Sequence, residues 1–247
     1  MHAKTNVKTA MRTLDVFEAF RALKIPLSLS ELAREIGSPM SSCSELVHTL
    51  KQRGYLYHLG NARKLYPTKR MLDAAEVIAR HDPVIQRLEP AMTALRDASG
   101  ETVILGKLHE RNVVYLEVLE GTQTIRYSAQ PGDLKPLHAS AIGKALLGAL
   151  PEATLAEWLP TLPLTANTPH AITDPVRLLA DVAEGRTRGM FVTRGENVVD
   201  VMAIAIAIMP QSDPLGVALA GPLARMEAHF ARHAQSLRRF RADLEHP

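Results

Sequence analysis

Cysteine and aromatic residues are scarce in this sequence, and long apolar runs are absent. A single cysteine among 247 residues excludes an intramolecular disulfide framework and favours a reducing, cytoplasmic location. No apolar stretch approaches the roughly 20 residues that cross a bilayer, so no membrane span is expected. Residues 1–15 contain no apolar h-region, so no secretory signal is expected either.

Charge is small in total but unevenly placed. The net charge is +3, yet residues 1–70 contain 12 Lys and Arg against five Asp and Glu, which leaves −4 for the rest of the chain. A basic head on a mildly acidic body suggests that the head binds a polyanion. An uneven but merely solvated surface would give the same totals.

Three successive helical patterns open the chain. Apolar residues recur on one side of residues 9–23, as in an amphipathic helix. Ser28 and Glu31 have the spacing of a capping box, so a second helix should begin at Ser28. Pro39 lies in the first turn of a third helix that ends at Gly54. Two short helices across a tight Gly-Ser-Pro turn are typical of a helix-turn-helix.

A hairpin is predicted directly after the third helix. Residues 54–59 and 64–67 are rich in strand-forming side chains, and a hairpin in this place is a wing. Basic residues near its tip suit DNA phosphates or the minor groove. The sequence therefore predicts a DNA-binding winged helix, with a protein-docking winged helix as the alternative. The expected DNA contacts are Ser28, Met40, Ser41, Ser42, Ser44, Glu45, His48, Arg63 and Lys64.

The third helix lacks basic residues in its N-terminal half, where Glu45 lies. Serine can bond to several bases, and glutamate can accept a hydrogen bond from the amino group of cytosine. Glu45 could equally orient Arg12, Arg34 or another basic residue through a salt bridge. Both interpretations of Glu45 stay open at this stage.

The rest of the chain mixes strands and helices. Residues 68–80 and 83–98 predict two helices that join the head to a larger body. Hairpins as well as crossovers connect the body's elements, which indicates an α+β sheet flanked by helices. The predicted strands are 102–108, 113–119, 124–129, 190–194, 201–209 and 215–220, and the predicted helices are 137–147, 174–188 and 223–244.

Several short motifs follow one another in the body. They are Pro136–Leu147 (PLHASAIGKALL), Glu101-Thr102-Val103, Val114-Tyr115-Leu116, Ile172-Thr173-Asp174, Arg188-Gly189 and Ala220-Gly221-Pro222. With the winged helix before them, these motifs resemble the IclR family of bacterial transcription regulators. The resemblance runs from about Thr9 to Leu244.

The resemblance implies an architecture and a function. It implies a winged helix-turn-helix DNA-binding domain at residues 1–68, a linker helix at 69–82, and a GAF-like α/β domain at 83–247 for effector binding and oligomerisation. It further implies a homodimer or dimer of dimers on palindromic or pseudo-palindromic double-stranded promoter DNA, acting as repressor or activator of a catabolic pathway. A small organic effector would control it, with no cofactor and no membrane partner.

The LHASAIGKAL stretch fails as a catalytic motif. A phosphate loop needs Gly-x4-Gly-Lys-Ser/Thr, whereas His138 and Ala145 stand at the first Gly and the hydroxyl positions. A nucleophile elbow needs Gly-x-Ser-x-Gly, whereas Ser140 is flanked by alanines. His229 and His233 have helical spacing for a metal, but no third ligand is evident and a solvated helix face is expected. The sequence therefore predicts neither an enzyme nor a metal site.

The same stretch suits one wall of an effector pocket. A helix start offers free backbone N–H groups to an anionic ligand. In the acid-binding members that the chain resembles, an Asp, a Cys and two Ser complete the cage. The positions that match this cage here, with the helix-start pair, the facing strand and a neighbouring valine, are Thr193, Ala203, Ala218, Ala220, Ala141, Ile142, Tyr127 and Val201.

Small apolar residues at the cage positions change the expected ligand. Removing polar groups enlarges and dries a pocket, which penalises a small, strongly hydrated acid. We therefore expect a larger, more apolar effector, such as an aromatic compound with at most one acidic or hydroxyl group. Its polar end would meet Arg126, Arg194, Tyr127 or Thr193. The alternatives are a vestigial pocket whose alanines merely pack the core, and a docking adaptor that has lost DNA binding.

Overall fold

The computed structural model describes residues 7–60, 63–210 and 213–245. The chain forms two compact units that divide between Asp82 and Pro83. The first unit consists of α1 (Lys8–Leu23), α2 (Leu29–Glu35), α3 (Met40–Gln52), β1 (Leu56–Leu59), β2 (Lys64–Pro67) and α4 (Arg70–Arg80).

The second unit is built around one sheet. Its elements are α5 (Pro83–Ser99), β3 (Thr102–His109), β4 (Asn112–Leu119), β5 (Leu134–Pro136), α6 (Ala141–Ala149), α7 (Glu152–Trp158), a 3-10 turn (Leu159–Thr161), α8 (Pro175–Arg188), β6 (Phe191–Arg194), β7 (Val201–Ile208), β8 (Leu215–Pro222), α9 (Leu223–Ala228) and α10 (Phe230–Glu245). No helix in the described ranges is both long and apolar enough to cross a bilayer.

The capping box predicted for α2 is present. The Glu31 N–H donates to Ser28 Oγ at 3.3 Å, and the Ser28 N–H donates to the Glu31 carboxylate at 2.7 Å. Gly37 has φ +57°, a conformation that glycine adopts without strain, and it lets the chain turn from α2 into α3. β1 and β2 pair antiparallel, and a bridge from Leu27 to Leu65 ties them to the segment before α2.

The sheet of the second unit is antiparallel throughout, in the order β5-β4-β3-β8-β7-β6. Helices α5 and α10 pack on one face, where Val103 and Leu105 are buried. Helices α6 and α8 pack on the other face, where Ile104 is buried. This alternation along β3 is the two-residue period of a strand covered on both sides.

The strand predicted at 124–129 is wrong. This segment forms no ladder, and side chains hold two of its carbonyls instead. The Thr102 hydroxyl donates to the Tyr127 carbonyl at 2.5 Å, and the Arg225 guanidinium donates to the Ile125 carbonyl at 2.8 Å. The Leu134–Pro136 strand, which the sequence analysis missed, takes the sheet edge beside β4.

Two predicted helices have different bounds. The helix predicted at 137–147 begins only at Ala141, because Ser140 caps it with extended backbone. The helix predicted at 223–244 is two helices that break at His229, whose φ is −115°. Helix α7 and the 3-10 turn that follows it were not predicted from the sequence.

His233 does not lie on a solvated helix face as expected, because its side chain is fully buried. Neither ring nitrogen has a hydrogen-bond partner among the described residues. Burial lowers the pKa of His233, the nearby Glu101 opposes this shift, and the charges of neighbouring cations add to it. The cationic and titratable neighbours are Arg232, His229 and Arg225.

Stability should therefore fall as the pH drops below about 6.5. Below that pH, His233 binds a proton in the unfolded chain. In the folded chain it binds this proton less readily, because its pKa is lowered. His233→Leu loses no hydrogen bond, so its free energy of unfolding, measured with urea, should depend less on pH between 7.5 and 5.5. The slope should fall by up to about 1.4 kcal/mol per pH unit. His229→Leu at the exposed neighbour is the control. An unchanged pH slope in His233→Leu would rule out this source of acid sensitivity.

Candidate effector cavity and nucleic-acid interface

The start of α6 explains the small residues of LHASAIGKAL. Ser140 Oγ accepts the Gly143 N–H at 3.1 Å and donates to the Pro136 carbonyl at 2.7 Å. A Cβ at Gly143 would lie 2.3 Å from the Leu137 carbonyl oxygen, so only glycine lets the chain fold back this tightly. Helix geometry leaves the first N–H groups of α6, including that of Ala141, without intrahelical acceptors.

Helix α6 sits directly on the sheet through Ile142. A Cβ at Gly216 would lie 2.5 Å from Ile142 Cγ2, and one at Gly106 would lie 3.1 Å from the same atom. Glycines on β3 and β8 thus make room for one fully buried isoleucine. The helix start is therefore fixed relative to the centre of the sheet.

A small cavity lies between the start of α6, the sheet and two loops. Its volume is about 30 Å³. The lining residues are Ile104, Tyr115, Tyr127, Ala139, Ser140, Ala141, Ile142, Thr193, Asn197, Val198, Val201, Ala203, Ala218 and Ala220. An effector pocket was predicted from the sequence at this place.

Eight of the ten residues predicted for the effector lie on this lining. Arg126 does not, because its guanidinium pairs with Glu120 at 2.6 Å on the surface. Arg194 does not either, because it pairs with Glu227 and lies over the Phe230 ring. Each arginine directly neighbours a lining residue, and in extended backbone adjacent side chains point to opposite sides.

Six lining residues were not predicted. Tyr115 carried a usable signal, since it alternates with buried Val113 along β4 on the face toward α6. Ser140 carried another, since it stands three residues before the N–H that it caps. Asn197 lies in the loop after β6, where no periodicity marks it. The others are Ile104, Ala139 and Val198.

The cavity is smaller and less purely apolar than expected. Ligand pockets commonly measure about 300–1,000 Å³, whereas this cavity of about 30 Å³ has room for water but not for an aromatic ring. Two tyrosine rings, Tyr115 and Tyr127, line it beside the alanines. Burial raises the pKa of the Tyr115 phenol, and the adjacent, hydrogen-bonded Tyr127 raises it further.

Lys144 is the one charged residue buried within α6, and it was not predicted to matter. Its Nζ lies 2.8 Å from Asp181 Oδ2 on α8 and 2.8 Å from Glu196 Oε1 in the loop after β6. Burial raises the pKa of Glu196, and the Lys144 charge opposes that shift. The lysine thereby ties α6 to α8 and to the loop that carries Asn197.

The predicted DNA contacts lie on α2, α3 and the wing. Side chains on α3 are buried on the side that faces α2, whereas Met40, Ser41, Ser44, Glu45 and His48 are exposed. Ser28 is half-buried at the α2 cap. Lys64 lies 4.0 Å from the Glu31 carboxylate, and Arg63 is exposed at the wing with φ +46°. Their contacts with DNA stay predictions.

A groove of about 590 Å³ runs beside α3 in the first unit. Ser42 and Glu45 line it from α3, opposite Arg12 on α1 and beside Arg53. Glu45 therefore shares a groove with Arg12, a candidate salt-bridge partner, and with a further basic residue, Arg53. In the described residues no ion pair of Glu45 lies within 4.0 Å, so neither interpretation of this residue is decided.

Helix α4 presents an unpartnered apolar face. None of its residues is buried, and its apolar side chains Leu72 and Ile78 are 53% and 72% exposed. Met71 belongs to the same helix and also lines the α3 groove. We call the exposed apolar residues Met71, Leu72, Val77 and Ile78 of this helix the α4 surface.

Among the described residues no group of three or more His, Cys, Asp and Glu side chains could hold a metal ion.

The family model described as Bacterial transcriptional regulator IclR C-terminal matches residues 76–245. The model described as IclR helix-turn-helix domain matches residues 9–60.

Individual relatives agree with these matches. The "Probable transcriptional regulator SauR" of Cupriavidus necator is 31% identical over 220 residues, which cover 88% of this chain and 87% of that protein. The crystal structure of the Thermotoga maritima IclR superposes with a TM-score of 0.81 at 22% identity, covering 97% and 98% of the chains. An IclR homolog from Microbacterium hydrocarbonoxydans, complexed with 4-hydroxybenzoate, has a TM-score of 0.72 at 23% identity, covering 97% and 100%.

Proposed function

Because the chain belongs to the IclR family of bacterial transcriptional regulators, we propose that an apolar or aromatic effector in its cavity sets its affinity for promoter DNA. The resemblance inferred from the sequence is thereby confirmed at the level of family and fold. The chain is a regulator with a helix-turn-helix domain and an effector-binding C-terminal domain, and its family relatives are regulators rather than enzymes. We assign DNA binding to residues 1–68, the linker to 69–82 and effector binding to 83–247.

The cavity lining is the observation that carries the effector class. Alanines on β7 and β8, with Ile104 and Ile142, offer apolar surface that suits a ring. The free N–H groups at the start of α6 suit one carboxylate, and the Tyr115 and Tyr127 phenols suit one hydroxyl or acid. The 4-hydroxybenzoate bound to the Microbacterium homolog has this combination of groups, which supports an aromatic acid here.

We propose that the wing and the exposed side of α3 contact DNA. Arg63 would neutralise phosphates, and so would Lys64, whose amine is held only loosely near Glu31. Ser41, Ser44 and His48 share the exposed side of α3 and would lie against base edges. Ser42 and Glu45 line the α3 groove, so their contribution to base recognition should be smaller.

A double substitution in the wing tests this function. Arg63→Ala with Lys64→Ala should weaken binding to the DNA upstream of the protein's own gene. It should weaken binding to other DNA sequences to the same extent. The salt slope of log affinity should flatten by about one to two units, because up to two phosphate contacts are lost. Electrophoretic shifts across a salt series measure both. Arg177→Ala with Arg238→Ala, which removes the same charge from exposed sites of the second unit, is the control, and equal slopes in both variants would contradict the wing contact.

We further propose that two copies of the chain join through the α4 surface. A two-fold interface is self-complementary, so an exposed apolar helix face can pack against the same face of a second copy. Helix-turn-helix proteins read palindromic sites with heads one helical turn or a multiple apart. Exposed Met11 and Leu14 on α1, 47% and 64% accessible, add a second apolar strip for the same contact.

A further inference from the structure

We infer that residues 122–130, here named the strap, are the gate of the effector cavity, and that Arg225 is a positioning residue that latches it. The inference rests on the proposed effector function and names how the ligand enters. It starts from the cavity volume of about 30 Å³, which admits no ring. A wall must therefore move before any aromatic acid can bind.

Most walls of the cavity cannot move cheaply. The sheet walls belong to β3, β4, β6, β7 and β8, whose ladders hydrogen-bond to neighbouring strands. The α6 wall is clamped by Gly143 against the Leu137 backbone and by Ile142 against Gly216. Two loops remain, and they are the loop after β6 and the strap.

The loop after β6 is anchored along its length. The Thr168 hydroxyl donates to the Gly195 carbonyl at 2.6 Å, and Glu196 pairs with Lys144 at 2.8 Å. The Gly195 N–H donates to the Val201 carbonyl, and the Val201 N–H donates to the Val198 carbonyl. Opening this loop would expose a buried ion pair and break backbone hydrogen bonds.

The strap is anchored only at its ends and by side chains. The Thr122 N–H donates to the Gly100 carbonyl at 3.1 Å, and the Asp133 N–H donates to the Gln130 carbonyl at 3.1 Å. Residues 123–129 make no backbone-to-backbone hydrogen bond with the rest of the described chain. Tyr127 covers the cavity from this segment, while Ile125 is 73% exposed.

Only side chains hold the middle of the strap. Glu120 accepts from the Arg126 guanidinium and from the Ser128 hydroxyl, each at 2.6 Å, and Tyr115 hydrogen-bonds to Tyr127. Two further side chains, Thr102 and Arg225, bind the strap backbone. The Thr102 hydroxyl donates to the Tyr127 carbonyl and accepts the Gly121 N–H at 3.0 Å. Arg225 Nη2 donates to the Ile125 carbonyl at 2.8 Å while it also donates to Glu101 Oε2 at 2.8 Å. One guanidinium thus joins the strap to a carboxylate that is only 1% exposed.

The fork of Arg225 is fixed by its neighbours. Its Nε lies 2.5 Å from Glu101 Oε1, so both carboxylate oxygens are bound by the guanidinium, and Nη2 also donates to the strap. Gly221 leaves the space for this pair, since a Cβ there would lie 2.2 Å from Glu101 Oε2. Arg225 lies on α9, directly after the strand that carries Ala218 and Ala220. Strap opening would therefore release Arg225, a residue close to the cavity wall that β8 forms.

A cysteine in place of a cavity-lining residue can report opening of the cavity when no effector is present. Cys43 is the chain's single cysteine, so Cys43→Ser with Ala218→Cys leaves one thiol, at a position 2% exposed. Its rate of modification by methyl methanethiosulfonate measures how often the cavity opens. Thr102→Val and Arg225→Lys should each raise this rate about tenfold, because each removes a hydrogen bond to the strap. Arg225→Lys keeps a positive charge beside Glu101, and Thr102→Val keeps the buried volume.

Thr168→Val is the matched control, because it removes the corresponding hydroxyl from the opposite loop. It should leave the modification rate within about twofold. Faster modification in Thr168→Val and not in the strap variants would assign the gate to the other loop and overturn the inference. Equal rates in all variants would overturn it too. Circular dichroism and urea dependence of the rate separate local opening from global unfolding.

The same thiol separates the gate from the effector class. If the strap variants react faster but 4-hydroxybenzoate never protects Ala218→Cys, the gate stands and the proposed aromatic effector falls. If 4-hydroxybenzoate protects the thiol while the strap variants react at the parent rate, the effector class stands and the gate is wrong.

Discussion

Replacing Lys144 with methionine should lower the free energy of unfolding by about 3–5 kcal/mol, the usual cost of breaking a buried ion pair from one side. Lys144 is completely buried, and its Nζ serves two carboxylates at 2.8 Å. Glu196 Oε2 has no hydrogen-bond partner among the described residues. Removal of the lysine therefore leaves a mostly buried carboxylate, beside partly exposed Asp181, with no compensating charge. Urea unfolding at constant pH measures the loss.

Two comparisons make this prediction specific. Lys107→Met removes an exposed pair with Asp213 and should cost less than about 1 kcal/mol. Adding Glu196→Gln to Lys144→Met should recover part of the loss, since the uncompensated charge is removed. A loss in Lys144→Met no larger than in Lys107→Met would mean that the buried ion pair does not stabilise the second unit.

Placing a charge on the α4 surface should separate the two copies of the proposed dimer. Ile78→Asp changes a side chain that is 72% exposed in the single chain, so the fold of one copy should survive. An aspartate opposite its symmetry mate would bury unpaired charge in the interface. Because two linked heads bind a palindrome far more tightly than one, DNA affinity should fall about a hundredfold or more. Sedimentation velocity and electrophoretic shifts measure the two effects.

Asp73→Asn is the control for this substitution, because Asp73 lies on the polar side of the same helix. It should change neither the sedimentation coefficient nor DNA binding by more than about twofold. If Ile78→Asp still sediments like the parent protein, the two copies do not join through the α4 surface.

The first unit could be predicted from sequence because local signals decide its structure. Ser28 and Glu31 cap α2 through contacts within one turn, and Gly37 and Gly54 both adopt positive φ at helix ends. Such features depend on neighbours a few residues away, so they can be identified without tertiary information. The functions of the exposed α3 and wing residues have no such local test and stay predictions.

The second unit was predicted less completely because tertiary contacts override its local pattern. The segment around Tyr127 has strand-like composition, yet Thr102 and Arg225 bind its carbonyls from distant elements. Arg126 and Arg194 neighbour lining residues but point outward, where acidic side chains pair with them.

The buried role of Lys144 was also not predictable from local sequence, because its partners lie 37 and 52 positions later in the chain. The cavity volume depends on how the Tyr115 and Tyr127 rings fill the space beside the alanines. Side-chain packing of this kind has no sequence pattern, so most of the residues that line the cavity could be predicted from the sequence, whereas its volume could not.

An aromatic effector in this cavity should change the affinity of the protein for DNA. Fluorescence anisotropy of labelled upstream DNA, titrated with 4-hydroxybenzoate, benzoate, glyoxylate and pyruvate, tests it most directly. We expect the aromatic acids to shift the affinity at least about fivefold and the two keto acids to leave it unchanged. A response to glyoxylate or pyruvate alone, or equal affinity with every compound, would contradict it.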